Sequence, residues 1–471
     1  MFEIKKYQKL FNLGFYIVMF FLLANLKFEN DSTFIICQIV YIGYLLMIIL
    51  ILKSNIFKYV YEPPIFFLLF AFLYEFLKFP YYFNYTSIPE LVQQSKLGTP
   101  YYEIKDYYAN SIMLLLYQAL CILTLLTFYI FARNKTDYKN IDLNKIKLIG
   151  ILNDRIFVFL VIVFLCLGFL GLYSVTGGNI LLLLSRRSGN AEASDILSSN
   201  YLVSFSSIFV LLTIPMLIGV RFLRKKKWLK LLVIYIPAMI LSYLTTGARG
   251  FILYSIVTTF IIIASDFKTK VNLIKIATFT GFFVLFFSVL GLIRRSSSDI
   301  DNSFIQSVKN RSEVEDQWYY ELSSYQLQFR DEMVFENASK VGYLYGKTYL
   351  NLVFFPFPRA VLGDLKPNFT DREVAVNFWN RFDVGLPLNS MTESYYNFGY
   401  FGIFVFMFMG IVMSKITVYI SKNKFLIIKC MAIVLLFYAQ TWTTTYLVYV
   451  FQYILVIYLP LKFSKFKSLD E

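Results

Sequence analysis

Thr33 to Leu52, read as TFIICQIVYIGYLLMIILIL, runs for 20 residues without a charge and stops at Lys53. A helix rises about 1.5 Å per residue, so this length covers roughly 30 Å, the thickness of bilayer hydrocarbon. The stretch reads as a spanning helix with a cation where it meets water. Comparable stretches begin near Leu10, Pro63, Tyr108, Ile156, Tyr201, Leu229, Phe251, Ile276, Phe398, Phe425 and Tyr446, which makes about twelve transmembrane helices. The first follows basic residues but no small-x-small cleavage site follows it, so it reads as a retained helix and not a removed signal.

The whole composition agrees. Of 471 residues, 58% are hydrophobic and only 16% charged, with a mean hydropathy of +0.60. A soluble domain is about 45–50% apolar, so a soluble single-domain protein is excluded. The formal net charge of +15 would raise the question of nucleic acid in a soluble chain. Here the cations instead fall in every second gap between spans, at Lys5, Lys6 and Lys9, Lys53 and Lys58, Arg133 to Lys147, Arg221 to Lys227, Lys268 and Lys270, Lys422 and Lys424, and Lys462 to Lys467. The positive-inside rule makes those gaps cytoplasmic and puts both termini inside. Anionic membrane lipid is the partner this surplus implies, and no nucleic acid is expected.

Alternation leaves four segments outside: Tyr81 to Asp106, Thr176 to Asn200, the turn Thr245 to Gly250, and the long stretch Ser296 to Tyr396. That last stretch carries nine Lys/Arg against fourteen Asp/Glu, a net charge of −5. Its Ser312 to Asn337 portion is polar enough to form a helix in water. Tyr343 to Leu362 is apolar but too broken by proline to span, and is expected to lie at or re-enter the outer face. The division is therefore residues 1–295 as a membrane domain of about nine spans, 296–397 as a large outer segment, and 398–471 as about three spans and a cytoplasmic tail.

Several chemistries are absent. There is no histidine, which removes the commonest general base and any Ser-His-Asp or Cys-His nucleophile. Cys37, Cys121, Cys166 and Cys430 all lie in apolar stretches, so no disulfide framework or Cys metal site is readable. Asp299-Ile300-Asp301 is the lone Asp-x-Asp; no metal or other cofactor is expected. Glu75 and Lys78, three apart, read as a plain helix-surface ion pair, and the many Phe and Tyr as lipid-facing and interfacial rings.

Three short patterns stand out. In Thr245-Thr246-Gly247-Ala248-Arg249-Gly250 an arginine is flanked by glycines that permit close backbone approach, which suits a phosphate; an arginine that merely ends a helix is the alternative. In Phe355-Pro356-Phe357-Pro358-Arg359, followed by Gly363-Asp364-Leu365-Lys366-Pro367, two prolines restrict the backbone before Arg359. Met391 to Gly402 contains Glu393, Tyr396, Asn397 and Gly399 and leads into a span, placing one carboxylate at the membrane mouth. Glu393 is either a general base, or a group orienting an acceptor hydroxyl, or a charge at a helix N-terminus.

Together the polytopic plan, the large outer segment near the C-terminus and these three patterns resemble the O-antigen polymerase (Wzy) family. The resemblance implies a GT-C-like, all-α membrane glycosyltransferase of a bacterial cytoplasmic (inner) membrane. It would polymerise undecaprenyl-diphosphate-linked oligosaccharide repeat units, with a chain-length regulator protein as a possible partner. The family's functional outer-loop arginines match Arg249 and Arg359 best, then Arg186 and Arg187, while Arg294 and Arg295 fit a helix end. Lys366, Tyr396 and Asn397 become substrate-binding candidates and Glu393 the catalytic carboxylate, with Asp364, Asp371 and Asp383 as alternative bases. A flippase of the same lipid-linked sugars would show repeats and short loops, and an O-antigen ligase is expected to use an outer-loop histidine.

Overall fold

The computed structural model describes residues 31–54, 56–57, 62–76, 78, 82–83, 100–134, 154–178, 201–223, 229–246, 255–256, 258–259, 262, 329–354, 362, 365–381, 385–422, 426–439 and 441–463. Among them every regular element is a helix. In chain order these are α1 (Ser32–Lys53), α2 (Pro63–Phe76), α3 (Tyr107–Asn134), α4 (Asp154–Val175), α5 (Tyr201–Leu223) and α6 (Leu232–Thr246). Then follow α7 (Arg330–Val341), α8 (Thr370–Trp379), α9 (Ser390–Phe398), α10 (Ile403–Lys422), α11 (Leu426–Ala439) and α12 (Thr444–Phe463).

Local chemistry sets several of these boundaries. Asp31 caps α1, accepting from the backbone N–H of Thr33 at 2.8 Å and Phe34 at 3.3 Å, as a short acceptor does at a helix start. Pro63 and Pro64 open α2, where their fixed φ fits and the missing N–H is not needed. Four stretches among the described residues are long and apolar enough to cross a membrane: Ser32–Lys53, Tyr107–Arg133, Phe157–Val175 and Ser390–Ser421. Shorter apolar helices cover Pro63–Phe76, Phe205–Gly219, Val233–Ser242, Cys430–Ala439 and Thr444–Ile457. These match spans expected from the sequence; those near Leu10 and Ile276 lie outside the described residues, as does most of the one near Phe251. The outward face of α3 presents Met113, Leu116, Leu120 and Leu123, an exposed apolar stripe that lipid, not water, accommodates.

The chain divides into two compact units. The first comprises Met1–Ile141, Gln317–Lys422 and Ala439–Gln452. Its backbone is the pair α3 and α10, the most extensive helix contact, and α1, α7 and α9 also pack on α3. A side chain at Gly410 would collide with the Leu125 carbonyl oxygen and come within 2.9 Å of the Tyr129 nitrogen, so only glycine lets the two backbones meet here. At one end of this pair Arg133 Nη1 donates to Glu62 Oε2 at 2.9 Å and to the Ile56 carbonyl at 2.7 Å, while the Tyr129 hydroxyl donates to the same Glu62 oxygen at 2.6 Å.

The second unit comprises Asp142–Asp316, Asn423–Tyr438 and Tyr453–Glu471. Here α4, α5 and α6 share a core of Leu172, Val203, Leu241 and Leu244. Gly168 and Gly171 of α4 admit Leu241 and Val203; an added Cβ would stand 2.6 Å and 2.5 Å from their side chains.

Candidate functional site

The Met391 to Gly402 pattern leads into a span, with α10 starting at Ile403, but Glu393 stands inside a helix and not just before one. Asn389 caps α9, its side chain accepting from Thr392 N–H at 2.7 Å, so Glu393 lies in the first turn of a short helix. A 3-10 turn at Gly399–Gly402 then connects to α10. Gly399 sits at φ +59, where glycine is unstrained. Gly402 faces the Ser394 carbonyl and the Tyr117 hydroxyl, each 2.6 Å from where a Cβ would stand.

Glu393 is buried, and three donors meet its carboxylate. The hydroxyls of Thr370 and Thr444 both donate to Oε1, and the Thr444 backbone N–H donates to Oε2 at 2.9 Å. Thr370 is the first residue of α8 and Thr444 the first of α12. One anion thus stands at the N-terminal ends of three helices, where their dipoles favour negative charge.

Asp371 adjoins this knot. Its carboxylate accepts from the Arg372 N–H at 3.0 Å, and its carbonyl accepts from Leu386 N–H at 2.8 Å, holding the 385–389 strand of chain against α8. Gly385 lies so close that a Cβ there would stand 2.6 Å from Asp371 Oδ2. Burial raises the Asp371 carboxyl above its ordinary value, against the lowering effect of the Arg372 N–H. The residue keeps partial exposure, which Glu393 lacks.

A second polar knot lies on the other side of the α9 cap. Lys78, just beyond α2, reaches Asp331 Oδ2 at 3.1 Å, Glu332 Oε1 at 3.3 Å and Glu75 Oε1 at 3.6 Å. The Tyr74 hydroxyl donates to Asp331 Oδ2 at 2.6 Å, and Tyr82 to Glu332 Oε1 at 3.3 Å. Asp331 Oδ1 in turn accepts from Asn389 N–H at 3.4 Å, which joins the two knots through α9. Burial pushes both α7 carboxyls up, but for Asp331 the Lys78 charge, the Tyr74 hydrogen bond and Arg330 together hold it below its ordinary value. Glu332 stays raised, by burial and by its proximity to Asp331.

The model of the O-antigen polysaccharide polymerase Wzy family matches residues 10–466, nearly the whole chain. The chain belongs to that family. No curated protein and no solved structure matches it.

As a Wzy-family member with these apolar helices, the chain is a multi-pass membrane protein of a polysaccharide-polymerase family. Of the site residues read from the sequence, the structure gathers Glu393, Tyr396, Asn397 and Asp371 around α8 and α9. The Tyr396 hydroxyl accepts from Asn377 Nδ2 at 2.9 Å, and its ring meets Phe378 edge-on at 5.5 Å. Asn397 donates to the Glu393 carbonyl at 2.9 Å and accepts from the Thr348 hydroxyl at 3.0 Å. Both residues are fully buried. Lys366 is part-exposed just before Pro367. Arg186, Arg187, Arg249, Arg294, Arg295, Asp299, Asp301, Arg359, Asp364 and Asp383 lie outside the described residues; α6 ends at Thr246, three positions before Arg249. Among the described residues no group of acidic or cysteine side chains is arranged to hold a metal ion.

Glu75 and Lys78 require a correction. They are not a surface pair: their side chains are 1% and 2% exposed, because α7 covers them. Sequence reading also missed Arg330, Asp331 and Glu332. The available signal was Glu75 itself, a charge in an otherwise apolar helix, which needs a nearby partner when it is not in water.

Proposed function

We propose that this Wzy-family chain polymerises undecaprenyl-diphosphate-linked oligosaccharide repeat units at the outer face of the bacterial cytoplasmic membrane, with both termini inside. The family match over residues 10–466 carries this reading. In the reaction, the bond between the anomeric carbon of the growing glycan and its diphosphate oxygen breaks, and the electron pair leaves with the diphosphate. A hydroxyl of the new lipid-linked repeat unit bonds to that carbon and gives its proton to a base.

The chain's chemistry suits those demands. Arg249 and Arg359, with Arg186 and Arg187, supply planar forks for the diphosphate. The base is a carboxylate, since histidine is absent. Glu393 has donors on both oxygens, whereas Asp371 is part-exposed with a raised pKa. That difference favours Asp371 as proton acceptor, with Glu393 fixing Thr370 and therefore the neighbouring Asp371 and the acceptor hydroxyl. Lys366, Tyr396 and Asn397 shape the acceptor side, and a chain-length regulator is the protein partner. Surface polysaccharide from a deletion strain, resolved by size, tests the function. Loss of long chains with one repeat unit retained is expected; unaltered chain lengths would refute it.

A further inference from the structure

Among the described residues of the first unit two arginines, Arg133 and Arg330, are buried, and they are treated very differently. Arg133 is answered by Glu62 and the Ile56 carbonyl. Arg330 has a relative exposure of 0%, yet Nε, Nη1 and Nη2 all lack a hydrogen-bond partner among the described residues. The carboxylates nearest to it converge on Lys78 instead, and no described carboxylate lies within ion-pair distance of its guanidinium. Tyr74 is close enough to attract the guanidinium, while its hydroxyl proton is committed to Asp331.

This is a costly arrangement. Guanidinium does not shed its charge in proteins, and a buried charge without a partner destabilises the fold. Nearly all buried polar groups in native proteins are satisfied. The backbone around Arg330 is unusual as well. Phe329 precedes it at φ +25, a conformation that bulky residues rarely adopt. Phe329 is also the N-cap of α7 and offers no side-chain acceptor to the helix. A 12-residue helix therefore begins without a cap, and an unpaired fork stands in its first turn. Asp331 and Glu332 of the same turn already meet the helix dipole, and it is the unpaired fork that favours a further oxyanion.

We propose that Arg330, in the first turn of α7, forms an oxyanion site that takes a phosphate group of the lipid-linked donor. The identity of the anion rests on the polymerase reading; the orphaned guanidinium does not. The side chain is shut off from bulk water, so the phosphate it meets is dehydrated, where a charge-assisted pair is strongest. Arg330 would then act beside the arginines expected from the sequence.

The full chain in phosphatidylcholine nanodiscs tests this by thermal unfolding and by titration with undecaprenyl diphosphate, in wild type, Arg330→Met and Arg330→Lys. Undecaprenyl diphosphate is expected to raise the wild-type Tm. Arg330→Met should match or exceed the wild-type Tm without ligand, since it removes an unpaired buried charge, and should bind roughly tenfold or more weakly. Arg330→Lys should also bind weakly, lacking the planar fork. A lower ligand-free Tm in Arg330→Met with wild-type affinity would make Arg330 a structural brace and overturn the proposal. If Arg330→Met does not fold, wild-type affinity in Arg330→Lys overturns it. Nanodiscs with phosphatidylglycerol distinguish the source: stabilisation by that lipid and none by undecaprenyl diphosphate rejects the donor as the occupant. A chain that binds the lipid diphosphate through Arg330 but never elongates a glycan would refute the polymerase reading and leave the anion site standing.

Discussion

In the proposed reaction Glu393 and Asp371 divide between them two tasks that one carboxylate performs poorly, holding helices together and exchanging a proton. Asp371→Asn is expected to slow polymerisation about 10²–10⁴-fold. Because burial raises the wild-type Asp371 carboxyl, activity should rise with pH through a value above the ordinary aspartate range. A rate–pH profile of the purified enzyme checks this, and a limb at the ordinary aspartate value would rule Asp371 out as base. Glu393→Ala should instead unfold the site, costing roughly 3 kcal/mol or more by leaving buried donors of Thr370 and Thr444 without an acceptor; thermal unfolding measures it. Glu332 gives a pH effect of opposite kind. Its native carboxyl is raised above the unfolded value, so the folded protein holds the extra proton, and stability falls as pH rises from the ordinary glutamate range through the raised value. In Glu332→Gln that part of the Tm–pH curve should flatten. The sequence displayed Glu393 and Asp371 as candidates, but not their roles. Those depend on Thr444, 51 positions from Glu393, a separation no local pattern reveals.

Helix α7 is fastened to the membrane helices by one cation. Lys78→Met should leave Asp331 and Glu332 buried without it, a loss of about 3–5 kcal/mol, and faster amide exchange in Arg330–Val341 than in α3 would locate the effect. Unchanged protection of α7 would show that its apolar contacts suffice. The helices themselves were legible in the sequence where apolar length decides them: α1, α2, α3, α5, α11 and α12 begin within two residues of the starts read from hydropathy. The start near Phe398 was less clear. Hydropathy runs on across Gly399 and Gly402, while the backbone turns there, with Gly399 at positive φ and Gly402 packed against Tyr117 and Ser394 where no side chain fits. The Glu75 and Lys78 pair was misread for a related reason. Spacing of three identifies a possible pair, but its burial depends on Asp331 and Glu332, more than 250 positions away.

At the scale of the molecule, alternating basic gaps predict that residues 296–397 face outward. A cysteine introduced at Ser323, in a chain whose four native cysteines are replaced, should react with a membrane-impermeant thiol reagent in intact spheroplasts. Reaction only after permeabilisation would invert the topology. The triple helix junction at Glu393 also has a consequence for biogenesis. Ribosomes deliver α9 to the membrane well before Thr444, so during translation the carboxylate lacks two of its three donors. Inserting α12 supplies both together. A chain truncated before Thr444 is therefore expected to leave the Glu393 carboxylate with Thr370 as its one remaining donor.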